Sequence, residues 1–413
     1  MKVKASGLII SILAVAAALV LLIGDDGFCA SRTIRIGHIV HMTGAYAAGQ
    51  VGINEGFLDG VEAANLHMKL PAGVRFEGAW MDGGTDTSKS MTAFKKLTGG
   101  DNPVVLIIGE STPVALALKK WFIKKQIPSL EGGSGQELFN LPSWTFSVPS
   151  PYVNELGAWI DFYTKEVWPK KGLKRAPRFA WLTWDIAPGR AQITDEAKAY
   201  LTSKGVEIVG EEFIPVVPTD VSAQILRLKE KKVDFTYGLM YYNALAVVMK
   251  EFDRQGLIDQ VDVGMTYAFQ PQIFMKTVGN LSRNVYVTAL SPPLESWGRV
   301  CPPVLEMWKK NRREGLPSPD LYLFGFNKAL VACEAIRLAL EKTGPDKLNG
   351  QAVFAALKGM KSYDMWGAGN AVSFGEKKRY GQDSVSLIRL DDAKLKVLGE
   401  YPTPNLTKYN WEK

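Results

Sequence analysis

The chain has 413 residues, 46% hydrophobic and 22% charged, with 39 glycines, 22 prolines and 3 cysteines. That composition excludes a disordered chain, a collagen-like repeat and a disulfide scaffold, and the length suits two or three domains, with two lobes as the working expectation. The 49 basic and 42 acidic residues leave a formal +7, but the basic ones come as scattered pairs such as Lys119-Lys120 and Lys170-Lys171, with no basic tail and no interleaved aromatic motif, so no nucleic-acid partner is expected.

Met1-Lys2-Val3-Lys4 is a short positive segment, and residues 8–23 form an apolar run broken only by Ser11. The pattern predicts a signal peptide over residues 1–30 and hence export; an uncleaved membrane anchor is the alternative, since the run is long for a signal core and short for a spanning helix. Its removal takes Cys29 away and leaves Cys301 and Cys333. In an oxidising compartment these two either pair or remain buried thiols, the latter being the simpler expectation.

Beyond the leader, short β-branched runs alternate with stretches of helical period. Strands are predicted at Thr33–Val40, Val74–Met81, Pro103–Ile108, Ile127–Leu130 and Trp144–Val148, and helices at Val51–Met68, Thr87–Leu97 and Pro113–Lys125. After Val148-Pro149-Ser150-Pro151 the rhythm restarts. Helices are predicted at Val153–Val167, Gly189–Lys204, Asp220–Glu230 and Asn243–Gln255, with strands at Arg178–Trp184, Val206–Phe213, Val233–Tyr237 and Val261–Thr266. A strand at Asn284–Ala289, helices at Pro303–Arg312 and Leu321–Lys342, and strands at Ala371–Phe374, Ser384–Leu390 and Lys394–Leu398 complete the chain. Repeated strand–helix–strand alternation calls for parallel sheets covered by helices, so the fold class is α/β with two doubly wound Rossmann-like lobes.

Such sheets place ligands at the carboxyl ends of their strands. The loops there are small, glycine-rich and hydroxyl-bearing: His41-Met42-Thr43-Gly44, Gly109-Glu110-Ser111-Thr112 and Glu131-Gly132-Gly133-Ser134. Each hydroxyl alone reads as a helix cap; three along one lobe edge read as a cradle for a carboxylate, helped by free N–H groups at a helix start. Tyr46, Trp184, Tyr241, Tyr242, Tyr267 and Phe269 are the rings available to line an apolar or aromatic cleft.

The segment Ile36-Gly37-His38-Ile39-Val40-His41-Met42-Thr43-Gly44, followed by Gly56, Asp59-Gly60 and Ala63-Ala64-Asn65, resembles the opening of the leucine/isoleucine/valine-binding family, the type I periplasmic binding proteins. The likeness continues through residues 82–86, Ile107 to Ser111, Ile127-Pro128-Ser129, Ser134, Val233-Asp234-Phe235 and residues 381–391. It implies two lobes joined by three crossovers, near Ser147–Tyr152, Val287–Ser291 and Trp366–Val372, closing on a small molecule and then docking on an ABC permease at the inner membrane. The implied partition is residues 31–148 plus 290–367 for lobe 1 and 149–289 plus 368–413 for lobe 2.

The resemblance also implies site residues: a carboxylate-binding hydroxyl on Ser111 or Thr112, a backbone contact at Gly132, a hydroxyl on Ser134, and an aromatic wall at Tyr241 and near Pro188, beside Trp184 and Asp185. Tyr46 and Tyr267 join them. The sequence departs from the family where amino-acid-binding members carry an acid for the ligand ammonium, reading Gly264-Met265-Thr266-Tyr267-Ala268-Phe269. Since an unpaired buried ammonium costs several kcal/mol, the expected ligand is a small carboxylate or amide, unless Asp185, Glu131 or Glu110 substitutes; an amino acid of the branched-chain kind stays open.

No enzyme is expected. There is no G-x-S-x-G elbow, Walker loop or G-x-G-x-x-G fingerprint after a strand, the three histidines lack metal spacing, and no cofactor or metal is called for. The alternative to transport is a sensing role, in which the same trap delivers a signal rather than cargo.

Overall fold

The computed structural model describes residues 32–391 and 394–408; the expected signal peptide lies outside the described residues. Two sheets organise the chain, one five-stranded and one seven-stranded. The first has the order β2-β1-β3-β4-β5, where β1 is Arg32–Val40, β2 Val74–Asp82, β3 Leu106–Gly109, β4 Ser129–Glu131 and β5 Thr145–Ser147. All its pairings are parallel, β1 running from Arg32 opposite Val74 to Val40 opposite Asp82. Every residue of β3 is buried, as a central parallel strand covered on both faces must be.

The second sheet has the order β12-β11-β10-β9-β8-β6-β7. Its strands are β6 (Arg178–Trp184), β7 (Glu207–Ile214), β8 (Phe235–Gly238), β9 (Asp262–Met265), β10 (Val285–Ala289), β11 (Ser384–Asp391) and β12 (Lys394–Pro402). Strands β6 to β10 pair in parallel, and the terminal hairpin of β11 and β12 is added antiparallel to β10.

In chain order the main helices are α1 (Ala47–His67), α2 (Thr87–Leu97), α3 (Thr112–Lys125), α4 (Tyr152–Phe162), α5 (Asp195–Ser203), α6 (Ser222–Glu230), α7 (Tyr242–Arg254), α8 (Pro271–Val278), α9 (Pro302–Lys310), α10 (Pro319–Thr343) and α11 (Gly350–Gly359). Helix α10 is buried along most of its length and lies against α1 at backbone-contact distance. A methyl group on Gly56 would stand 1.9 Å from the Tyr322 carbonyl, and one on Gly325 2.0 Å from that of Ile53, so both positions demand glycine. This close approach carries Leu321, Phe324 and Lys328 to the edge of the first sheet.

Several elements differ from expectation. The helix expected at 189–204 is split by Thr194, whose hydroxyl caps α5 by accepting the Ala197 N–H at 3.1 Å. The one expected at 153–167 passes into a π turn over Tyr163–Val167. The segment Ala371–Phe374 is not a strand and makes only an isolated bridge, Val372 with Tyr363. Helices α8 and α11 were not anticipated. The apolar core of the first sheet includes Trp297, Trp308, Val372 and Phe374, and Ser147 is bridged to Tyr380. The third passage between the sheets therefore comes after Tyr380, later than the 366–372 expected, because Arg379 to Gly381 are bonded to Ser147 of β5.

Cys301 and Cys333 are buried free thiols, and burial pushes the Cys301 thiol up to about 12. Among the described residues no helix is long and apolar enough to cross a membrane, and no group of three or more histidine, cysteine or acidic side chains is placed to hold a metal.

Candidate functional site

The loops that leave the carboxyl ends of β1, β3 and β4 face those leaving β6, β8 and β9, and between them lies a cavity with about 520 Å³ of atom-free space, part of it open to solvent. Tyr46 reaches it from the loop before α1, Ser111 and Thr112 from the start of α3, and Gly132 from the end of β4. Across the gap stand Trp184 at the end of β6, Tyr241 at the start of α7 and Tyr267 after β9.

Ser111 occupies the N-cap position of α3 in extended conformation, yet its hydroxyl makes no cap hydrogen bond; its carbonyl instead accepts the Ala115 N–H at 2.8 Å. Thr112 Oγ1 is buried without a hydrogen-bond partner; Tyr152 lies beside it, but not in bonding geometry. The first turn of α3 thus presents uncommitted N–H groups and hydroxyls to the cavity, a combination suited to an anionic or carbonyl oxygen. The next loop is flattened against this turn. A methyl on Gly133 would stand 2.3 Å from Thr112 Oγ1, and one on Gly132 2.4 Å from Glu110 Oε2. The Gly132 carbonyl accepts the Tyr267 phenol, a hydrogen bond that joins the two lobes.

Aromatic rings meet across the gap. The rings of Tyr46 and Trp184 are nearly parallel, 10° apart in tilt with centroids 6.4 Å apart, and Tyr241 meets Trp184 edge-on at 4.9 Å. Tyr152 and Tyr267 stack at 5.9 Å. Burial raises the phenols of Tyr46, to about 12, and of Tyr241 well above its ordinary range, so both stay neutral.

Beneath the hydroxyl edge lies a buried charge cluster. Glu110 Oε1 is bonded to His38 Nε2 at 2.9 Å and to the Lys328 ammonium, and His38 Nδ1 lies 3.1 Å from the Asn54 side-chain amide, whose N–H it accepts when the neutral ring donates to Glu110. Lys328 also stands over the Phe324 ring at 4.0 Å. Burial opposes the Glu110 charge, but the Lys328 ammonium and the His38 hydrogen bond outweigh it and hold the carboxyl below its ordinary range. Burial lowers His38, keeping it neutral at pH 7. Glu131, also buried, is pushed up to about 8 by burial and then by the Glu110 charge. At neutral pH the cluster therefore holds one anion, one cation and a protonated glutamic acid, and is close to neutral overall.

Of the expected site residues, Tyr46, Ser111, Thr112, Gly132, Trp184, Tyr241 and Tyr267 meet at the cavity, as does Pro188. Ser134 does not line it. It is buried one layer back, its hydroxyl near the Tyr267 phenol without bonding geometry and its carbonyl accepting the Tyr152 N–H at 3.3 Å. Asp185 does not line it either: at the mouth of β6 its carboxylate is exposed and held by Arg190 at 2.7 Å. Phe269 lines a separate cavity, and Tyr242 lines neither. Sequence reasoning missed Gln50, Tyr152 and Phe324, all on the cavity wall, and the Glu110–Lys328 pair. A signal for the last existed in Phe326-Asn327-Lys328-Ala329-Leu330, where one lysine interrupts a run of apolar periodicity.

Of the carboxylates named as stand-ins for the missing acid, Asp185 faces Arg190 and Glu131 carries its proton, and neither lines the cavity; Glu110 does line it, with its Oε1 bonded to His38 and its charge balanced by Lys328.

The family model described as periplasmic binding protein matches residues 33–394. A branched-chain amino acid ABC transporter protein from Thermus thermophilus, solved with bound valine, superposes with a TM-score of 0.79 at 18% identity, covering 91% of this chain and 98% of that one. A fatty acid ABC transporter substrate-binding protein from Thermomonospora curvata gives 0.74 at 17% identity over 91% and 93%. A leucine-binding protein from Thermotoga maritima gives 0.72 at 16% identity over 89% and 99%. A search of curated protein sequences finds no match.

Proposed function

From the premise that the chain belongs to the periplasmic binding protein family, we propose that it is the solute-binding component of an ABC importer and that it holds a small carboxylate or amide with an aromatic or aliphatic body. One observation carries this reading: unspent hydroxyls and N–H groups at the start of α3 share the cavity with the Tyr46, Trp184 and Tyr241 rings, and the one carboxylate among the described residues of its wall, Glu110, is already balanced by Lys328.

An α-amino acid would bury its ammonium there with only Glu110 as counter-charge, a carboxylate that Lys328 already neutralises, and an ammonium left without a partner of its own costs several kcal/mol. A carboxylate or amide oxygen finds donors at α3, and its body displaces water from rings, each buried ring contributing about 2 to 3 kcal/mol. Closure follows if the ligand touches both lobes, because only contacts made in the closed state shift the equilibrium. The lobes proposed are residues 31–148 plus 290 to about 381, and 149–289 plus the remainder, with export to the periplasm and docking of the closed form on an inner-membrane permease.

Calorimetric titration with leucine, an aromatic carboxylate and a small amide tests the reading, together with mass spectrometry of whatever small molecule stays with the purified protein. Binding of the carboxylate or amide with weak or absent leucine binding is expected. Tight leucine binding refutes the counter-ion argument.

A further inference from the structure

A second cavity, with about 450 Å³ of atom-free space, lies beside the first, behind the wall made by Tyr267 and Phe324, whose ring centroids are 5.4 Å apart. Its walls include Val287 of β10 and Leu290 to Pro293, where the chain leaves that strand toward the first sheet; Asp320, in the first turn of α10; Phe269 with Gln272, at the start of α8; and Ile388 and Leu395 of the terminal hairpin. Most of the surface is apolar. Two of its residues carry buried side-chain oxygens with no hydrogen-bond partner, Asp320 Oδ1 and Gln272 Oε1. The other Asp320 oxygen accepts only a long bond, 3.4 Å, from the Ser318 hydroxyl. Among the described residues no basic side chain lines the cavity.

Buried acceptors without donors carry a standing penalty that a donor-bearing guest removes. A carboxylate guest is the poorer match here, because against the ionised Asp320 it sets a second anion and it brings no donor for Gln272. A plain hydrocarbon would fill the apolar walls but leave both oxygens unmet. An ammonium satisfies both, with a charge-assisted bond to the carboxylate.

We propose that this cavity is a second binding site, for a small apolar molecule with an N–H donor head, an alkylammonium foremost, seated with its head on Asp320 and Gln272 and its body against Leu290, Pro292 and Phe269. Burial pushes the empty Asp320 carboxyl up to about 7, and a cation beside it would bring it back down. The site does not depend on the reading of the main cleft, which disfavours an ammonium.

The test is titration of the full chain with n-butylammonium and, separately, with butyrate, followed by calorimetry or ligand-observed NMR. The expected result is that n-butylammonium binds, butyrate does not bind this cavity, and Asp320→Asn weakens butylammonium at least tenfold while an aromatic carboxylate titrates into the main cleft as before. Should Asp320→Asn fail to fold, Gln272→Leu serves in its place, with a severalfold loss expected. Absence of butylammonium binding to the wild type, binding unchanged in both variants, or displacement of butylammonium by the cleft's carboxylate would each overturn the proposal.

Discussion

Replacing Glu131 with Gln isolates the cost of the buried acid beneath the cleft. Glu131 ends β4, and burial first, then the neighbouring Glu110 charge, raises its carboxyl from 4.5 to about 8. The folded chain therefore keeps a proton that the unfolded chain gives up between those values. The stability from this group is fully present below about pH 4.5 and is lost as pH rises through about 8, where folding must carry the cost of a buried anion. The span from 4.5 to about 8 corresponds to a loss on the order of 5 kcal/mol, as a ceiling. Glutamine has the shape of the neutral acid and no proton to lose. Denaturant midpoints of the wild type and Glu131→Gln, measured from pH 4.5 to 9, should converge at the acid end and separate by several kcal/mol above pH 8, with the variant the more stable. Other buried carboxyls titrate alike in both proteins and cancel. Curves that run parallel across the range, or a variant less stable at pH 9, would refute the placement of a protonated acid at this position.

Four further outcomes are expected. Tyr241→Ala should weaken ligand binding by about 2 kcal/mol through lost ring contact, measured by calorimetry, and an unaltered dissociation constant would remove the ring from the pocket. Ser111→Ala should weaken binding by about 1 to 3 kcal/mol with an unchanged melting temperature, because its hydroxyl does not cap α3; a lower melting temperature with unchanged affinity would assign it a structural role. Lys328→Met strands the buried Glu110 carboxylate and should lower stability by about 3 to 5 kcal/mol, most of it recovered on adding Glu110→Gln. Cys301 and Cys333 should both resist a thiol reagent in the native protein and both react after unfolding, whereas a disulfide would yield no free thiol in either state.

Much of the architecture is local in origin and so was readable from the chain. Alternation of β-branched runs with 3.6-residue periodicity is enough to place β1, β3, β6 and α2 to within a few residues, because each buries a face dictated by its own side-chain pattern. The family motifs around residues 36–44 and 107–111 likewise locate the loops that border the cleft, since a strand followed by a glycine- and hydroxyl-bearing turn defines where a helix start opens. What the chain alone left undecided depends on partners distant in sequence. Asp185 and Ser134 stand in the right loops, yet Arg190 draws the first outward and the packing of Tyr152 and Tyr267 seals the second behind the wall. Lys328 meets Glu110 from 218 positions away only because Gly56 and Gly325 let α1 and α10 touch backbone to backbone. Local pattern determined most of the strands and helices, though not α8, α11 or the fate of Ala371–Phe374, and which loops face the cleft. Burial and pairing across the fold decided which side chains remain free to take a ligand, because those energies arise only when remote groups share the same dry space.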